Sequence, residues 1–246
     1  MGLVSVSFRR HTPKEIMDSM LAAGLSCVEW GSDVHAPCRN PEALAEIAAL
    51  QREYGITCSS YGTYFRLGQT PIEELTDYIR AAQILGTDIL RLWCGAKSGA
   101  DMTQKEREEL LEQSRRAADI AQQNHVTFCM ECHRGTFTER PKDAVALMQA
   151  VNSPHFRMYW QPFQWLEKQE SLEVAKAVSP YTEHIHVFHW KGEERLPLRE
   201  GIREWREYLT AFSTPRTLLL EFMPDDCRDT LKAEANALKT IVGETI

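Results

Sequence analysis

One short run shows the pattern of this chain: Val126-Thr127-Phe128-Cys129-Met130-Glu131. It is mostly apolar and ends in a carboxylate, which is typical of a buried strand whose last residue reaches the edge of a sheet. Similar runs recur along the chain, and each is followed by a longer amphipathic segment. They predict strands at Leu3–Phe8, Cys27–Trp30, Ile56–Tyr61, Ile89–Trp93, Val126–Glu131, Phe156–Gln161, His184–Phe188 and Thr217–Phe222.

The segments between these runs carry signals of helix ends. Thr12-Pro13-Lys14-Glu15 and Thr70-Pro71-Ile72-Glu73 each combine a capping hydroxyl, a proline in the first turn and a glutamate three residues on. Glycines stand where three helices should end, at Gly24, Gly55 and Gly86. We therefore predict an α/β fold, a (β/α)8 TIM barrel that forms a single domain over residues 1–246. An open doubly wound sheet fits less well, because there are eight strands and no glycine-rich phosphate loop.

Composition narrows the classes of function. The formal net charge of −7 argues against a nucleic-acid partner, which usually needs a basic surface. No apolar run reaches the ~20 residues of a membrane span, and the start of the chain does not resemble a signal peptide. The seven cysteines are an odd number and several lie in apolar runs, which predicts reduced thiols in a cytoplasmic protein. Cys129 and Cys132 have CxxC spacing, but no second pair accompanies them.

Four predicted strands end in side chains that can bind a metal ion. In a barrel of this kind the strand ends collect around one mouth, where the active site lies. A carboxylate at the end of an apolar strand is costly unless another group compensates its charge. A shared divalent cation, Mn²⁺, Mg²⁺, Co²⁺ or Zn²⁺, explains the set more simply than a metal-free polar network does. The predicted ligands are Glu131, Gln161, His186 and Glu221.

This order of strand ends resembles the xylose isomerase-like TIM barrels, the superfamily that includes the sugar phosphate isomerases and epimerases. Glu131, His186 and Glu221 fall on that family's metal positions. The family commonly has D-x-x-H on the sixth strand, where this chain has Gln161-Pro162-Phe163-Gln164. Gln161 removes one negative charge from the site, and Gln164, which we place at the substrate, cannot carry a proton as a histidine would.

The resemblance implies a reaction class. In such enzymes a metal ion polarises a carbonyl, and two glutamates move the proton on the adjacent carbon, so Glu131 and Glu221 become the expected catalytic residues. The first expectation is an isomerase or epimerase of a small sugar, sugar phosphate or keto-polyol. A keto-polyol dehydratase shares the enediolate intermediate, and a non-catalytic sugar-binding barrel remains open because fold alone does not decide function. The three-zinc endonuclease branch lacks the ligands here. The resemblance also implies a homodimer.

The positions of further residues predict contacts with the substrate. His133 follows Glu131 by two residues and shares its face in an extended chain. Trp93 ends a strand, where an aromatic ring can stack on a sugar or cap the core. The other candidates each had a plain structural alternative, such as an internal ion pair or a rim position: Glu29, His35, Arg66 and His189. Arg91, within a strand, was expected to pair internally.

Overall fold

The computed structural model describes residues 1–243 and consists of a closed parallel barrel surrounded by helices. The barrel order is β1-β10-β7-β6-β5-β4-β3-β2. Its strands are β1 (Gly2–Val4), β2 (Cys27–Gly31), β3 (Thr57–Leu67), β4 (Ile89–Cys94), β5 (Thr127–Glu131), β6 (Phe156–Trp160), β7 (Thr182–Val187) and β10 (Thr217–Leu220). The predicted (β/α)8 TIM barrel is confirmed.

Eight helices pack around the outside of the barrel. They are α1 (Pro13–Ala23), α2 (Pro41–Tyr54), α3 (Leu75–Leu85), α4 (Gln104–Gln123), α5 (Pro141–Val151), α6 (Lys168–Val178), α7 (Ile202–Leu209) and α8 (Leu231–Val242). None of the helices within residues 1–243 is long and apolar enough to cross a membrane.

Local signals account for most helix boundaries. Thr12 and Glu15 form the expected capping box at the start of α1, and Gly24 ends that helix in the left-handed conformation with φ 70°. The prediction at Thr70 was wrong. A 3-10 turn precedes α3, and the Thr70 hydroxyl instead accepts a hydrogen bond from the backbone of Arg66.

The first strand is shorter than predicted. It ends at Val4, and Ser5–Phe8 form a 3-10 turn. The Ser5 hydroxyl accepts from the backbone N–H of Gly31, and the Ser7 hydroxyl accepts from that of Phe222. The two serine hydroxyls thus accept from backbone N–H groups of other segments, and the chain leaves the strand ladder after Val4. The turn brings the following loop over the carboxyl end of the barrel.

A short antiparallel hairpin follows β7 and was not predicted. Its strands are β8 (His189–Lys191) and β9 (Glu194–Leu196). All seven cysteines lie within the described residues and are free, and Cys227 is the one that is exposed. Cys129 and Cys132 are both buried.

Candidate active site

The carboxyl ends of the barrel strands surround a cavity of about 420 Å³, called the main cavity below. It receives side chains from six barrel strands or the residues that follow them, from the hairpin after β7 and from the turn and loop that follow β1. Its lining is Val6, Arg9, Tyr64, Arg91, Trp93, Glu131, His133, Gln161, Gln164, Phe188, Trp190, Glu221 and Phe222.

The four predicted metal ligands come together at this cavity. Nδ1 of His186 lies 3.2 Å from Oε1 of Gln161, 3.3 Å from Oε2 of Glu221 and 3.5 Å from Oε1 of Glu131. One ring nitrogen can donate only one hydrogen bond, so His186 alone cannot satisfy all three oxygens. Ligand atoms around an ion with bonds of about 2.0–2.2 Å are separated by similar distances.

The orientation of Gln161 supports its use as an oxygen donor. Its amide nitrogen donates to the carbonyl of Cys132 at 3.1 Å, which leaves the amide oxygen directed at His186. The glutamine therefore presents the same kind of atom to the site as a carboxylate would, without the negative charge.

A buried ion-pair network lies directly beneath the main cavity; we call Glu29, Arg91, Glu131 and His186 the floor cluster. Arg91 bridges two carboxylates, with Nε 2.8 Å from Glu29 and Nη1 2.6 Å from Glu131. Nε2 of His186 lies 3.4 Å from Glu29. The side chains of Glu29 and His186 are 0% exposed, and that of Arg91 is 4% exposed.

This network keeps its carboxylates ionised. Burial by itself would raise the pKa of Glu131, but the charge of Arg91 and the contact with His186 outweigh burial and lower the pKa to about 2. The same balance, with Arg91 as the main partner, holds the pKa of Glu29 well below its usual range. Burial opposes the charge of Arg91, yet the two glutamates raise its pKa above the ordinary value.

The donors, carboxylate and amide oxygens with one imidazole nitrogen, fit a divalent ion in kind. As the side chains stand, no three His, Cys, Asp or Glu residues within the described part of the chain form a ready metal site. Here one of the four donors is a glutamine, and Arg91 and Trp93 both donate to Oε2 of Glu131. With Glu221 included, three carboxylates face Arg91 and His186, and although burial lowers the pKa of His186, Glu221 and Glu29 raise it above the ordinary value. A divalent cation bound by neutral His186 would supply positive charge to the same carboxylates.

Three of the predicted substrate residues line the main cavity: Trp93, His133 and Gln164. The rings of Trp93 and His133 contact each other with centroids 5.1 Å apart. Nδ1 of His133 lies 2.8 Å from the carbonyl of Arg134, so Nδ1 carries a hydrogen and Nε2 is left for another partner.

Four other predicted substrate residues do not line it. Glu29 belongs to the floor cluster and also accepts from Ser60. His35 is buried, with its two ring nitrogens bound to Ser5 and to the carbonyl of His11. The guanidinium of Arg66 stacks on the ring of Trp93, 4.2 Å from its centre. The ring of His189 packs so closely against Gly201 that a Cβ added to Gly201 would lie 2.6 Å from Nδ1 of His189.

Several lining residues were missed. Arg9 and Val6 lie in the turn and loop that replaced the end of the first predicted strand, and Tyr64 lies in β3, which runs beyond the predicted end at Tyr61. Phe222 directly follows Glu221 and has φ 55°, a left-handed backbone that is rare for an aromatic residue. Its position after a strand-end glutamate was the one available signal. Trp190 belongs to the unpredicted hairpin.

Comparisons with known proteins find relatives of this chain in sequence and in fold. The chain is 22% identical over 188 residues to a 3-dehydroshikimate dehydratase of Bacillus anthracis, which spans 68% of this chain and 67% of the relative. The crystal structure of the probable 3-DHS dehydratase AsbF from the same organism superposes with a TM-score of 0.82 at 20% identity, covering 97% of this chain and 98% of that chain.

Two further solved structures share the fold. D-psicose 3-epimerase from Clostridium cellulolyticum H10 has a TM-score of 0.74 at 15% identity, over 99% of both chains. A barrel protein from Mycobacterium smegmatis in complex with magnesium has a TM-score of 0.69 at 14% identity, over 96% of this chain and 90% of that one. The family model for xylose isomerase-like TIM barrels matches residues 17–239. The chain belongs to the xylose isomerase-like TIM barrel family.

Proposed function

We propose that this barrel removes the proton next to a carbonyl in a small polyhydroxylated substrate and then expels a hydroxyl group, so that the overall reaction is a dehydration. The observation that carries the proposal is the unequal surroundings of the two glutamates at the main cavity. The relative that is a 3-dehydroshikimate dehydratase supports the same reaction class.

Glu131 is held as a fixed anion. Arg91 and Trp93 both donate to its Oε2, and its pKa of about 2 makes it a weak base near neutral pH. A general base works best when its pKa lies near the working pH. Glu131 is therefore suited to binding and orientation rather than to proton transfer.

We assign proton removal to Glu221. It lines the main cavity, its carboxylate contacts Nδ1 of His186 at 3.3 Å, and within residues 1–243 no arginine, lysine or tryptophan donates to it. His133 lines the same cavity with Nε2 unused, which suits it to protonate a leaving hydroxyl.

The carboxylate of Glu221 takes the proton from the carbon, and the C–H electron pair forms the carbon–carbon double bond of an enolate. When the enolate collapses, the bond to the neighbouring hydroxyl breaks, and the hydroxyl leaves as water with the Nε2 proton of the imidazolium form of His133, while Nδ1 stays bound to the carbonyl of Arg134. After the product leaves, Glu221 releases its proton to solvent and Nε2 of His133 takes one up, which restores both groups. A divalent ion held by Glu131, Gln161, His186 and Glu221 would supply positive charge next to the enolate oxygen.

Epimerisation or isomerisation is the second candidate, because Glu131 and Glu221 both face one cavity. A two-base epimerase needs each carboxylate to hold the proton in turn. Arg91 opposes protonation of Glu131, which is why we place dehydration first.

The test is a panel of hydroxylated carbonyl compounds, including 3-dehydroshikimate and free ketoses, incubated in D₂O with Mn²⁺, Mg²⁺ or Co²⁺. Dehydration gives a new ultraviolet absorbance from the conjugated product, and NMR follows deuterium incorporation. We expect Glu221→Gln to lower turnover by about 100-fold or more. His189→Gln is the matched control, because His189 lies outside the cavity.

Each outcome separates the candidates. Deuterium exchange without an absorbing product would assign the barrel to the isomerases or epimerases. Saturable binding without either signal would leave a non-catalytic sugar-binding protein.

A further inference from the structure

A second cavity of about 300 Å³, the rim cavity, opens beside the main cavity. The two share Val6 and Arg9 in their linings, so the cavities adjoin at these residues. The lining of the rim cavity is Val6, Ser7, Phe8, Arg9, Arg10, His11, Arg195 and Asp226.

We propose that the rim cavity binds an oxyanion, a phosphate ester or a carboxylate, at the end of the substrate away from the reacting carbonyl. The proposal rests on the proposed function only in placing the carbonyl in the main cavity. It names the substrate class as anionic.

The charge of the rim cavity is opposite to that of the whole chain. The chain has 35 acidic and 28 basic residues, yet this cavity is lined by three arginines and one aspartate. Arginine presents several N–H groups in one plane, which matches the oxygens of a phosphate or carboxylate.

Arg9 is held in position but keeps free donors. Nε donates to Asp33 at 2.9 Å, Nη2 to the hydroxyl of Tyr64 at 2.6 Å and Nη1 to the carbonyl of Val6 at 3.2 Å. A guanidinium has five N–H groups, so two remain for a ligand. The existing bonds fix the direction in which these two point.

Arg195 is positioned by aromatic rings. Its guanidinium lies 5.2 Å from the ring centre of Trp190 and 5.0 Å from that of Phe222. Nη1 donates to Asp226, and Nε and Nη2 have no acceptor within the described residues. Asp226 is 69% exposed, so water can take over its contact with Arg195 when a ligand binds.

Arg10 completes the set. It is exposed and, among residues 1–243, makes no ion pair or side-chain hydrogen bond. Arg66, one of the predicted substrate residues, stacks on Trp93 and lines neither cavity. The three arginines of the proposed anion site therefore come from the loop after β1 and from the β8–β9 hairpin.

The test uses two probes, inorganic phosphate and acetate, titrated into the purified protein by calorimetry at constant ionic strength. Variants Arg10→Gln and Arg195→Gln should each weaken binding of the preferred anion by about tenfold, the effect of losing one charge-assisted contact. Arg66→Gln is the control and should bind within about twofold of the wild type. A preference for phosphate identifies a phosphate ester, and a preference for acetate a carboxylate.

The proposal is overturned if the wild type binds neither anion, if Arg10→Gln and Arg195→Gln bind as the wild type does, or if Arg66→Gln weakens binding equally. Circular dichroism checks that each variant is folded, and Arg10→Gln alters only an exposed side chain. No turnover is involved, so failure of this titration is distinct from failure of the proposed dehydration.

Discussion

The floor cluster and the rim cavity both pair arginine with carboxylate, but in different surroundings. Arg91 is 4% exposed between Glu29 and Glu131, whereas Arg9 is 44% exposed beside Asp33. Buried ions lose their water, so each depends on the partner that remains. Exposed ions keep water as an alternative partner. The difference indicates that the floor arginine orients fixed groups, while the rim arginines can exchange a protein partner for a ligand.

The largest expected effect comes from the floor. Arg91→Met leaves two buried glutamates without their main partner and should reduce the free energy of unfolding by about 3–5 kcal/mol. Arg66→Met is the control, because Arg66 contacts the same Trp93 ring from a half-buried position, and we expect a loss below about 1 kcal/mol. Urea unfolding of the purified variants measures both. Equal losses would remove the distinction between buried and exposed arginines.

Metal removal should also act at the floor. When the free concentration of the divalent ion is about 100 times its dissociation constant, binding stabilises the folded protein by about 2.7 kcal/mol, and chelation should lower the free energy of unfolding by the same amount. Melting curves with EDTA, and after Mn²⁺, Mg²⁺, Co²⁺ or Zn²⁺ is restored, measure this change. Glu221→Gln should respond much less to the chelator. A wild type indifferent to EDTA and to every added ion would contradict a metal site there.

A smaller change is expected when a single charge is removed from the floor. Glu29→Gln places an amide donor near the N–H groups of Arg91 and should cost about 1–3 kcal/mol in unfolding free energy. Asp33→Asn makes the corresponding change beside Arg9 and should cost less than about 1 kcal/mol. Chemical denaturation of the pair compares the two sites directly, and a larger loss at Asp33 would reverse our interpretation.

The smallest effect concerns salt. A double-mutant cycle of Arg9 and Asp33 should give a coupling energy of about 0.2–1 kcal/mol at low ionic strength. This energy should decrease in 1 M NaCl, because salt screens exposed charges. The corresponding cycle of Arg91 and Glu29 should change little. A coupling energy between Arg91 and Glu29 that decreased in salt would mean that water reaches the floor cluster.

Most of the fold was predictable because its signals are local. Apolar runs, the Thr12 capping box and the helix-ending Gly24 depend on residues close in sequence. The end of β1 could not be predicted from local signals, because Ser5 and Ser7 bind Gly31 and Phe222, which come from distant parts of the chain. No pattern in the nearby sequence predicts such partners.

The site divides in the same way. Parallel strands that end at one mouth bring Glu131, Gln161 and Glu221 together whatever the loops do. The direction of a loop side chain has no such constraint, so the sequence predicts His35 and His189 at the substrate and gives no signal for Arg9. Arg91 bridges Glu29 and Glu131 only in a rotamer that reaches both carboxylates, and the spacing of residues in the sequence does not specify this rotamer.

The distribution of the cysteines allows one position to be labelled selectively. Six of the seven are at least partly covered, and burial raises the pKa of the half-buried Cys38, which lowers its reactivity at neutral pH. A maleimide dye should therefore attach at Cys227 without removal of any other thiol. Cys227 directly follows Asp226 at the rim cavity, so the fluorescence of that single dye would report when an anion arrives there.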